Sequence, residues 1–306
     1  METSSEIKDF DIIDDMEKLS IEKQIVTVSK LGTTKIWSTA SGKELKTVIT
    51  GKPGSINALL LHNDLLFIGS KNITEVYDLK DDFKKLREII GHTDWIASLA
   101  HNEKYLFTGS YDSTISVYDA KNDYIKISTL TGHSQRVFSM ILRGETLVTG
   151  SNDHSIKFWD INNFEIVKTL TGHTGYINCL TSNDAFVISG SSDKTIKVWI
   201  PDVECTCLVT LTNHKEYINS LVTYQNMLIS GSFDKTIIIW NICSFSIIKT
   251  LYDHTDSIGG LHINMDILYS CSNDSAIKLW DLKDEDFKLI KTLEGYTEIV
   301  WCIAVF

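Results

Sequence analysis

The 306-residue chain has few prolines, few arginines and no long apolar run. Its two prolines leave little room for a linker between domains. No stretch approaches the roughly 20 consecutive apolar residues of a membrane-spanning helix, which argues against an integral membrane protein. The N-terminus also lacks a charged segment followed by an apolar one, so the sequence predicts no secretory signal.

Positive charge is scarce as well. The chain has 29 Lys and Arg residues against 40 Asp and Glu residues, which gives a formal net charge of −11. This excess of negative charge opposes binding to the phosphates of nucleic acids and to anionic lipids. We therefore expect no nucleic-acid partner and no contact with a membrane.

The six cysteines follow no metal-binding pattern. They are Cys179, Cys205, Cys207, Cys243, Cys271 and Cys302. Most fall within or beside predicted strands, where small apolar residues belong, and free cysteines of this kind are typical of a reducing compartment. The sequence therefore predicts no metal, no cofactor and a cytoplasmic location, with the nucleus as the alternative.

What the chain has instead is a repeat. One copy, Gly132 to Asp160, opens on Gly-His, contains two apolar runs, a polar turn and a third run, and closes on Trp-Asp. The Gly-His position recurs after 40, 41, 40, 41, 40 and 42 residues. The tryptophan, or a tyrosine in its place, recurs after 40, 41, 41, 40, 41 and 40 residues. A period of about 40–45 residues with these landmarks is typical of four-stranded propeller blades.

The two landmarks resemble those of the WD-repeat family, including the propellers of F-box/WD-repeat proteins, over about residues 20–306. The resemblance implies one all-β domain, a seven-bladed β-propeller of WD repeats. An acidic N-terminal tail, residues 1–19, precedes it. The blades are expected at about residues 51–90, 91–131, 132–171, 172–212, 213–252 and 253–294, with a composite blade made of 20–50 and 295–306.

The composite blade follows from what the first copy lacks. Between Gln24 and Ile49 the sequence contains three strand-like runs, but not the innermost strand that follows the Gly-His position in later copies. Residues 298–306 supply such a strand at the other end of the sequence. Pairing the two segments would close the ring and remove an exposed inner edge.

Four copies carry a His, a Ser, an Asp and a Trp at matching positions. They are His133, Ser151, Asp153, Trp159; His173, Ser191, Asp193, Trp199; His214, Ser232, Asp234, Trp240; and His254, Ser272, Asp274, Trp280. A fifth copy has His92, Ser110, Asp112 and Tyr118. A single Ser/His/Asp set would suggest a hydrolase triad, but an enzyme rarely needs the same triad in every repeat. We interpret the sets as structural networks in which Trp donates to Ser, Ser to His and His to Asp, as the resemblance also implies.

A binding face is predicted beside one core position of each inner strand. That position is Ile or Val in every copy, so strand alternation turns its two neighbours the other way. In WD-repeat propellers these neighbours, and the residue before the turn aspartate, face the mouth of the central channel. The predicted partner-binding residues are Trp95, Tyr111, Arg136, Phe138, Tyr176, Asn178, Tyr217, Asn219, Phe233 and Trp301.

Aromatic side chains with amides and an arginine are typical of a binding hot spot. Arg136 is the only arginine in the set, which disfavours multiply phosphorylated or acidic ligands. A short peptide that inserts one basic or apolar side chain among the rings fits better, because a cation can lie over an aromatic face.

These features predict a non-enzymatic scaffold, monomeric by itself, that binds peptide segments of other proteins on the channel-mouth face. The alternative is the substrate-recognition propeller of a ubiquitin ligase or kinase whose other domain is absent from this chain. An enzyme has the least support. No phosphate-binding glycine loop, unique nucleophile or metal cluster stands apart from the repeats, so no catalytic residue is predicted.

Overall fold

The structure is a computed structural model that describes residues 24–29, 32–39, 41–49, 58–201, 206–295 and 299–305. The predicted acidic tail, residues 1–19, lies outside these ranges. All regular elements within them are β-strands. Accordingly, the described residues include no helix long and apolar enough to cross a membrane.

Twenty-eight strands in the described residues form seven four-stranded sheets, which are the blades. The inner strands are β4 (Ala58–His62), β8 (Ile96–His101), β12 (Val137–Arg143), β16 (Ile177–Ser182), β20 (Ile218–Tyr224), β24 (Ile258–Asn264) and β28 (Val300–Val305). The second strands are β1 (Gln24–Ser29), β5 (Leu65–Gly69), β9 (Tyr105–Ser110), β13 (Thr146–Ser151), β17 (Val187–Ser191), β21 (Met227–Ser232) and β25 (Ile267–Ser272).

The remaining strands lie farther from the ring axis. The third strands are β2 (Thr33–Ser38), β6 (Ile73–Asp78), β10 (Ile115–Asp119), β14 (Ile156–Asp160), β18 (Ile196–Trp199), β22 (Ile237–Asn241) and β26 (Ile277–Asp281). The outer strands are β3 (Glu44–Ile49), β7 (Lys84–Ile90), β11 (Ile125–Leu130), β15 (Ile166–Leu170), β19 (Cys207–Leu211), β23 (Ile247–Leu251) and β27 (Leu289–Leu293). Blades 1 to 6 each contain four consecutive strands, from β4–β7 in blade 1 to β24–β27 in blade 6.

Blade 7 is the predicted composite blade. Strand β28 pairs antiparallel with β1, with Ile25 opposite Val305 and Thr27 opposite Ile303. Strands β2 and β3 complete the sheet. On its other sides, β28 packs against β24 of blade 6 and β4 of blade 1. The seven-bladed ring closed by a C-terminal inner strand and three N-terminal strands is therefore confirmed.

The hydrophobic core lies between neighbouring blades, where the Ile that begins an inner strand packs over a glycine of the preceding blade. A Cβ atom on Gly190 would lie 2.6 Å from Ile218 Cγ2, and one on Gly231 would lie 2.6 Å from Ile258 Cγ2. Both isoleucines are fully buried. Glycine in the second strand thus allows the close approach of the next blade, and this contact fixes the inner strand that carries the predicted binding residues.

Blade 1 has a tyrosine at the tryptophan position and a different polar network around it. The Tyr77 hydroxyl donates to Glu75 at 3.0 Å, and Lys85 forms an ion pair with the same carboxylate. Burial, reinforced by the Glu75 charge, raises the pKa of Tyr77 well above its usual range. The hydroxyl therefore remains a donor at neutral pH.

Candidate functional site

The ring axis contains an open cavity of about 460 Å³, and all seven inner strands contribute to its wall. Five of the predicted binding residues line it: Phe138, Asn178, Tyr217, Asn219 and Phe233. Trp95, Tyr111, Arg136 and Tyr176 do not line this cavity. The side chain of Trp301 lies outside what the structure describes, although its backbone belongs to β28.

A recurring backbone hydrogen bond brings two loops together in each of blades 2 to 6. The N–H of Tyr111 donates to the carbonyl oxygen of Trp95 at 2.8 Å, and the N–H of Phe233 donates to that of Tyr217 at 2.9 Å. The residue before the turn aspartate therefore lies beside the residue that precedes the inner strand. This bond explains how side chains distant in sequence form pairs on one face.

The largest group on this face is a stack of three rings, which we call the aromatic cluster: Trp95, Tyr111 and Phe138. The ring centroids of Trp95 and Tyr111 are 6.1 Å apart, and those of Tyr111 and Phe138 are 5.7 Å apart. The guanidinium of Arg136 lies 4.2 Å from the Tyr111 centroid, which is a cation–π contact. Burial raises the pKa of Tyr111 although the Arg136 charge opposes the shift, so the phenol stays neutral.

Two smaller aromatic pairs continue the face. Tyr217 and Phe233 of blade 5 have centroids 5.9 Å apart. Tyr176 of blade 4 lies 5.7 Å from the ring of His154 in blade 3. Tyr176, Tyr217 and Phe233 are 46%, 45% and 42% exposed, which is high for aromatic side chains outside an interface. The exposed rings thus extend over blades 4 and 5 as well as the aromatic cluster.

Asn178 and Asn219 also have a structural role, which was not predicted from the sequence. Asn178 Nδ2 donates to the carbonyl oxygen of Ile218 at 2.9 Å, and Asn219 Nδ2 donates to that of Ile258 at 2.8 Å. Each amide therefore ties its blade to the next one. The recurrence of Asn at the same position of adjacent repeats was the available signal, since a repeated residue in a ring can serve repeated blade-to-blade contacts.

The histidine and aspartate of the repeated networks are bonded as predicted, but the predicted serine is wrong. In blade 5, His214 Nδ1 lies 2.8 Å from Asp234 Oδ2. Trp240 Nε1 and His214 Nε2 both reach Ser230 Oγ, at 2.9 and 2.8 Å, and not Ser232. The residues in the place of Ser230 in the other four networks are Thr108, Thr149, Ser189 and Ser270.

The serines named from the sequence instead hold the turn beside the network. Ser232 Oγ accepts the N–H of Asp234 at 3.0 Å and donates to the carbonyl oxygen of Glu216 at 3.2 Å. The equivalent serines are Ser110, Ser151, Ser191 and Ser272. The physical reason is distance along the strand. Ser230 and Ser232 share one strand face, but only Ser230 is far enough from the turn to reach the indole.

The network fixes the charge of each aspartate. Burial alone would raise the pKa of Asp234, but hydrogen bonds from His214 and Thr236 outweigh it and hold that pKa well below its usual range. Asp153 and Asp193 are shifted in the same direction for the same reasons. For Asp274, burial is again outweighed by the His254 side chain and by backbone N–H groups, and the pKa falls to about 2. These carboxylates stay ionised at neutral pH.

Acid should therefore weaken the propeller in a defined range. A carboxyl group whose pKa is lower in the folded state stabilises that state above its unfolded pKa of about 4, and this contribution is lost as pH falls toward the folded value. We expect the urea midpoint to be nearly constant above about pH 5 and to fall between about pH 4 and pH 2. Urea titrations followed by tryptophan fluorescence measure it.

The matched control is Asp234→Asn, which removes one shifted carboxyl group. Its deficit in unfolding free energy relative to wild type should be largest at pH 7 and should shrink toward pH 2, where wild-type Asp234 loses its advantage. A deficit that stays the same across this range would show that the Asp234 charge contributes no stability.

The described residues hold no group of three or more His, Cys, Asp or Glu side chains arranged to bind a metal ion. In each of blades 2 to 6 the repeated histidine and aspartate are hydrogen-bonded to each other. The described site offers aromatic rings, one guanidinium and a cavity, which are features suited to binding.

The family model described as "WD domain, G-beta repeat" matches residues 83–119, 125–160, 164–199, 205–241 and 245–281. These segments amount to more than half of the chain. Each segment begins with the outer strand of one blade and continues through the inner, second and third strands of the next, from β7–β10 in the first segment to β23–β26 in the last. The family pattern and the structure therefore have the same repeat spacing.

Individual known proteins show the same likeness. WD repeat and SOCS box-containing protein 1 from Danio rerio is 38% identical over 61 residues, which is 19% of this chain and 14% of that protein. The crystal structure of the computationally designed Ika8 protein gives a TM-score of 0.74 at 26% identity and covers 90% of this chain and 85% of its own. The structure of U3-55K gives a TM-score of 0.72 at 21% identity and covers 79% of this chain and 83% of its own. At this identity the likeness shows only that the two proteins share a fold.

Proposed function

Because this chain belongs to the WD40 family, whose propellers act as protein-interaction scaffolds, we propose that it binds peptide segments of other proteins on its channel-mouth face and catalyses no reaction. The observation that carries this proposal is a set of aromatic rings at the channel mouth, namely the partly exposed aromatic cluster with the exposed Arg136, and the exposed pair Tyr217 and Phe233. Such rings are typical of binding hot spots.

The proposed setting is the cytoplasm, with the nucleus as the alternative. Among the described residues, Cys179, Cys207 and Cys243 are free thiols, which suits a reducing compartment. The propeller is proposed to act as a monomer. Its net charge of −11 also favours protein partners over nucleic acids and anionic membranes.

The test is a triple variant, Trp95→Ala/Arg136→Ala/Phe138→Ala, compared with wild type in affinity purification from cell lysate. Removing two rings and the stacked guanidinium takes away three hot-spot side chains, so partners should be lost by at least about tenfold, the effect of one such residue. Mass spectrometry of the bound fraction measures the loss. Thermal melts establish that the variant is folded.

A matched control removes three exposed apolar side chains from outer strands: Ile90→Ala/Val167→Ala/Ile290→Ala, at 64%, 68% and 53% exposure. This variant should keep the partners of the wild type. If instead the outer-strand variant loses partners and the cluster variant keeps them, the working surface is the rim of the blades and the proposal is wrong.

The second candidate is the substrate-recognition propeller of a ubiquitin ligase or kinase. It is favoured by the local match to a protein whose name joins WD repeats to a SOCS box, although the match spans only 14% of that protein. Sequencing the complete transcript tests it. A second domain of a ligase or kinase in the same reading frame would support this candidate, and a transcript that encodes only the propeller would count against it.

A further inference from the structure

The guanidinium of Arg136 lies over an aromatic ring, and no described residue accepts a hydrogen bond from it. The ring is that of Tyr111, which also contacts the rings of Trp95 and Phe138. Arg136 is exposed, and among the described residues no oxygen accepts a hydrogen bond from its guanidinium and no carboxylate is within ion-pair distance. All five N–H donors of this side chain therefore face solvent or a ligand.

The other two arginines are used by the fold itself. Arg87 donates to the backbone and carboxylate oxygens of Asp123. Arg143 donates to the backbone oxygen of Asp184. Both therefore have oxygen partners within the chain. Arg136 differs from them because the propeller orients its guanidinium and leaves the hydrogen-bond donors unused.

This arrangement suits a carboxylate. The planar fork of a guanidinium matches the two oxygens of a carboxylate with paired hydrogen bonds. An exposed arginine normally loses side-chain freedom when it binds, but stacking on Tyr111 has already restricted this one, so less entropy is lost on binding. A cationic ligand group is disfavoured at the same place, because Arg136 covers one face of the Tyr111 ring and repels a second positive charge.

An apolar subsite lies beside the guanidinium. Phe138 is two residues further along the chain, and its ring lines the 460 Å³ cavity. Tyr217 and Phe233 of blade 5 line the same cavity. These rings offer a hydrophobic surface at the channel mouth for one large side chain.

The number of charges that the site accepts is small. The Asp94 carboxylate is close enough to Tyr111 for its charge to raise the pKa of that phenol, so negative charge is already present near the ring that carries Arg136. A ligand with several acidic or phosphorylated groups would have a single guanidinium to offset its charges. The scarcity of arginines in the sequence disfavours ligands with several acidic groups. A single carboxylate is the exception, because Arg136 is stacked on Tyr111 with its hydrogen-bond donors unused.

We infer that the channel mouth selects a peptide segment in which one Asp or Glu lies next to a large apolar residue, with the carboxylate on Arg136 and the apolar side chain against Phe138 and the cavity. This inference rests on the proposed peptide-binding function and names the class of its ligand.

The test uses a library of random heptapeptides displayed on phage, selected against the folded full chain. Enriched peptides should contain Asp or Glu within two residues of Leu, Ile, Met or Phe. A synthetic fluorescent copy of one such peptide is then compared with its Asp→Asn or Glu→Gln counterpart by anisotropy. Wild type should bind the acidic form about tenfold or more tightly, the effect of a hydrogen-bonded charge.

Variants of the protein assign that preference to Arg136. In Arg136→Gln the preference for the acidic peptide should disappear, and in Arg136→Lys it should be reduced, because the charge remains but the fork does not. In Phe138→Ala both peptides should weaken together. Thermal melts of the three variants check folding, which substitutions at these partly exposed sites should not disturb.

The two proposals fail in distinguishable ways. Enriched peptides that carry Lys or Arg, or no charge, and that lose affinity in Phe138→Ala would overturn the carboxylate inference and keep the peptide-binding face. Enriched peptides that bind all three variants as tightly as wild type would overturn both, as would a library that yields no enrichment.

Discussion

Deleting residues 299–306 is expected to lower the melting temperature of the propeller by more than about 10 °C and to broaden its unfolding transition. The deletion removes β28, which buries Val300, Ile303, Ala304 and Val305 against β1 and the neighbouring blades. At about 1–3 kcal/mol for each larger apolar side chain, the loss approaches the 5–15 kcal/mol total stability of a typical domain.

The size of the effect comes from the place of β28 in the ring. It is the inner strand of blade 7, and it contacts β24 on one side and β4 on the other. Its removal exposes the edge of β1 and separates blades 6 and 1 at once. Thermal unfolding followed by circular dichroism measures the change, with a synthetic peptide of residues 295–306 added back as the control for specific loss.

Added peptide should raise the melting temperature of the truncated chain, roughly with the logarithm of the peptide concentration above its Kd, since it binds only the folded state. A truncated chain that melts like the full one would show that blade 7 does not need its inner strand, and that the ring is stabilised without closure.

Ring closure could be predicted because it depends only on counting. The Gly-His and Trp positions keep nearly the same spacing. The repeat pattern therefore shows that an inner strand is missing before Gln24 and that an additional inner strand is present at Val300. Packing between blades is likewise regular: an Ile or Val follows the Gly-His position in every copy, and it is buried in each copy that the structure describes. Features repeated in each blade are strongly constrained by the sequence.

The serine that accepts the indole N–H could not be predicted from the repeat pattern. The second strands of blades 2 to 6 have hydroxyl residues at two positions, as in Ser230 and Ser232, and strand alternation puts both on one face. Distance to the indole then decides between them, and distance is not written in the pattern. The sequence offered one clue. Thr108 and Thr149 occupy the position of Ser230, so either a serine or a threonine hydroxyl group fits there.

The candidate site could be predicted in composition but not in contacts. The residues that form the aromatic cluster were identifiable because their positions vary between repeats while the flanking core position does not. That Arg136 stacks on Tyr111 depends on rotamers and on a backbone hydrogen bond between two loops, neither of which has a periodic signature. Asn178 and Asn219 were predicted only as partner-binding residues, although their recurrence in adjacent repeats was a signal of their blade-to-blade hydrogen bonds.

The polar network of blade 5 provides the second large effect, in the variant Ser230→Ala. Trp240 Nε1 and His214 Nε2 both bond to Ser230 Oγ, and all three groups are buried. Removing the hydroxyl leaves two buried polar atoms without partners, at about 1–3 kcal/mol each. We expect the free energy of unfolding to fall by about 2–5 kcal/mol, measured by urea denaturation.

Ser230→Thr is the matched control, because threonine does the same task in blade 3, where Thr149 Oγ1 lies 2.9 Å from Trp159 Nε1 and 2.8 Å from His133 Nε2. This variant keeps the hydroxyl and should cost less than about 1 kcal/mol. Ser232→Ala removes only the turn hydrogen bonds to Asp234 and Glu216, and should cost about 1–2 kcal/mol.

The network can be isolated from simple packing by a double-mutant cycle with Trp240→Phe, which removes the indole donor. The Ser230→Ala substitution should lower the free energy of unfolding by at least about 1 kcal/mol less in the Trp240→Phe background than in the wild type. The reason is that the indole N–H, which would lose its acceptor, is already absent. Additive costs would mean that the indole gains nothing from Ser230. If Ser232→Ala lowers the free energy of unfolding as much as Ser230→Ala or more, Ser232 and not Ser230 is the central hydroxyl group of the network.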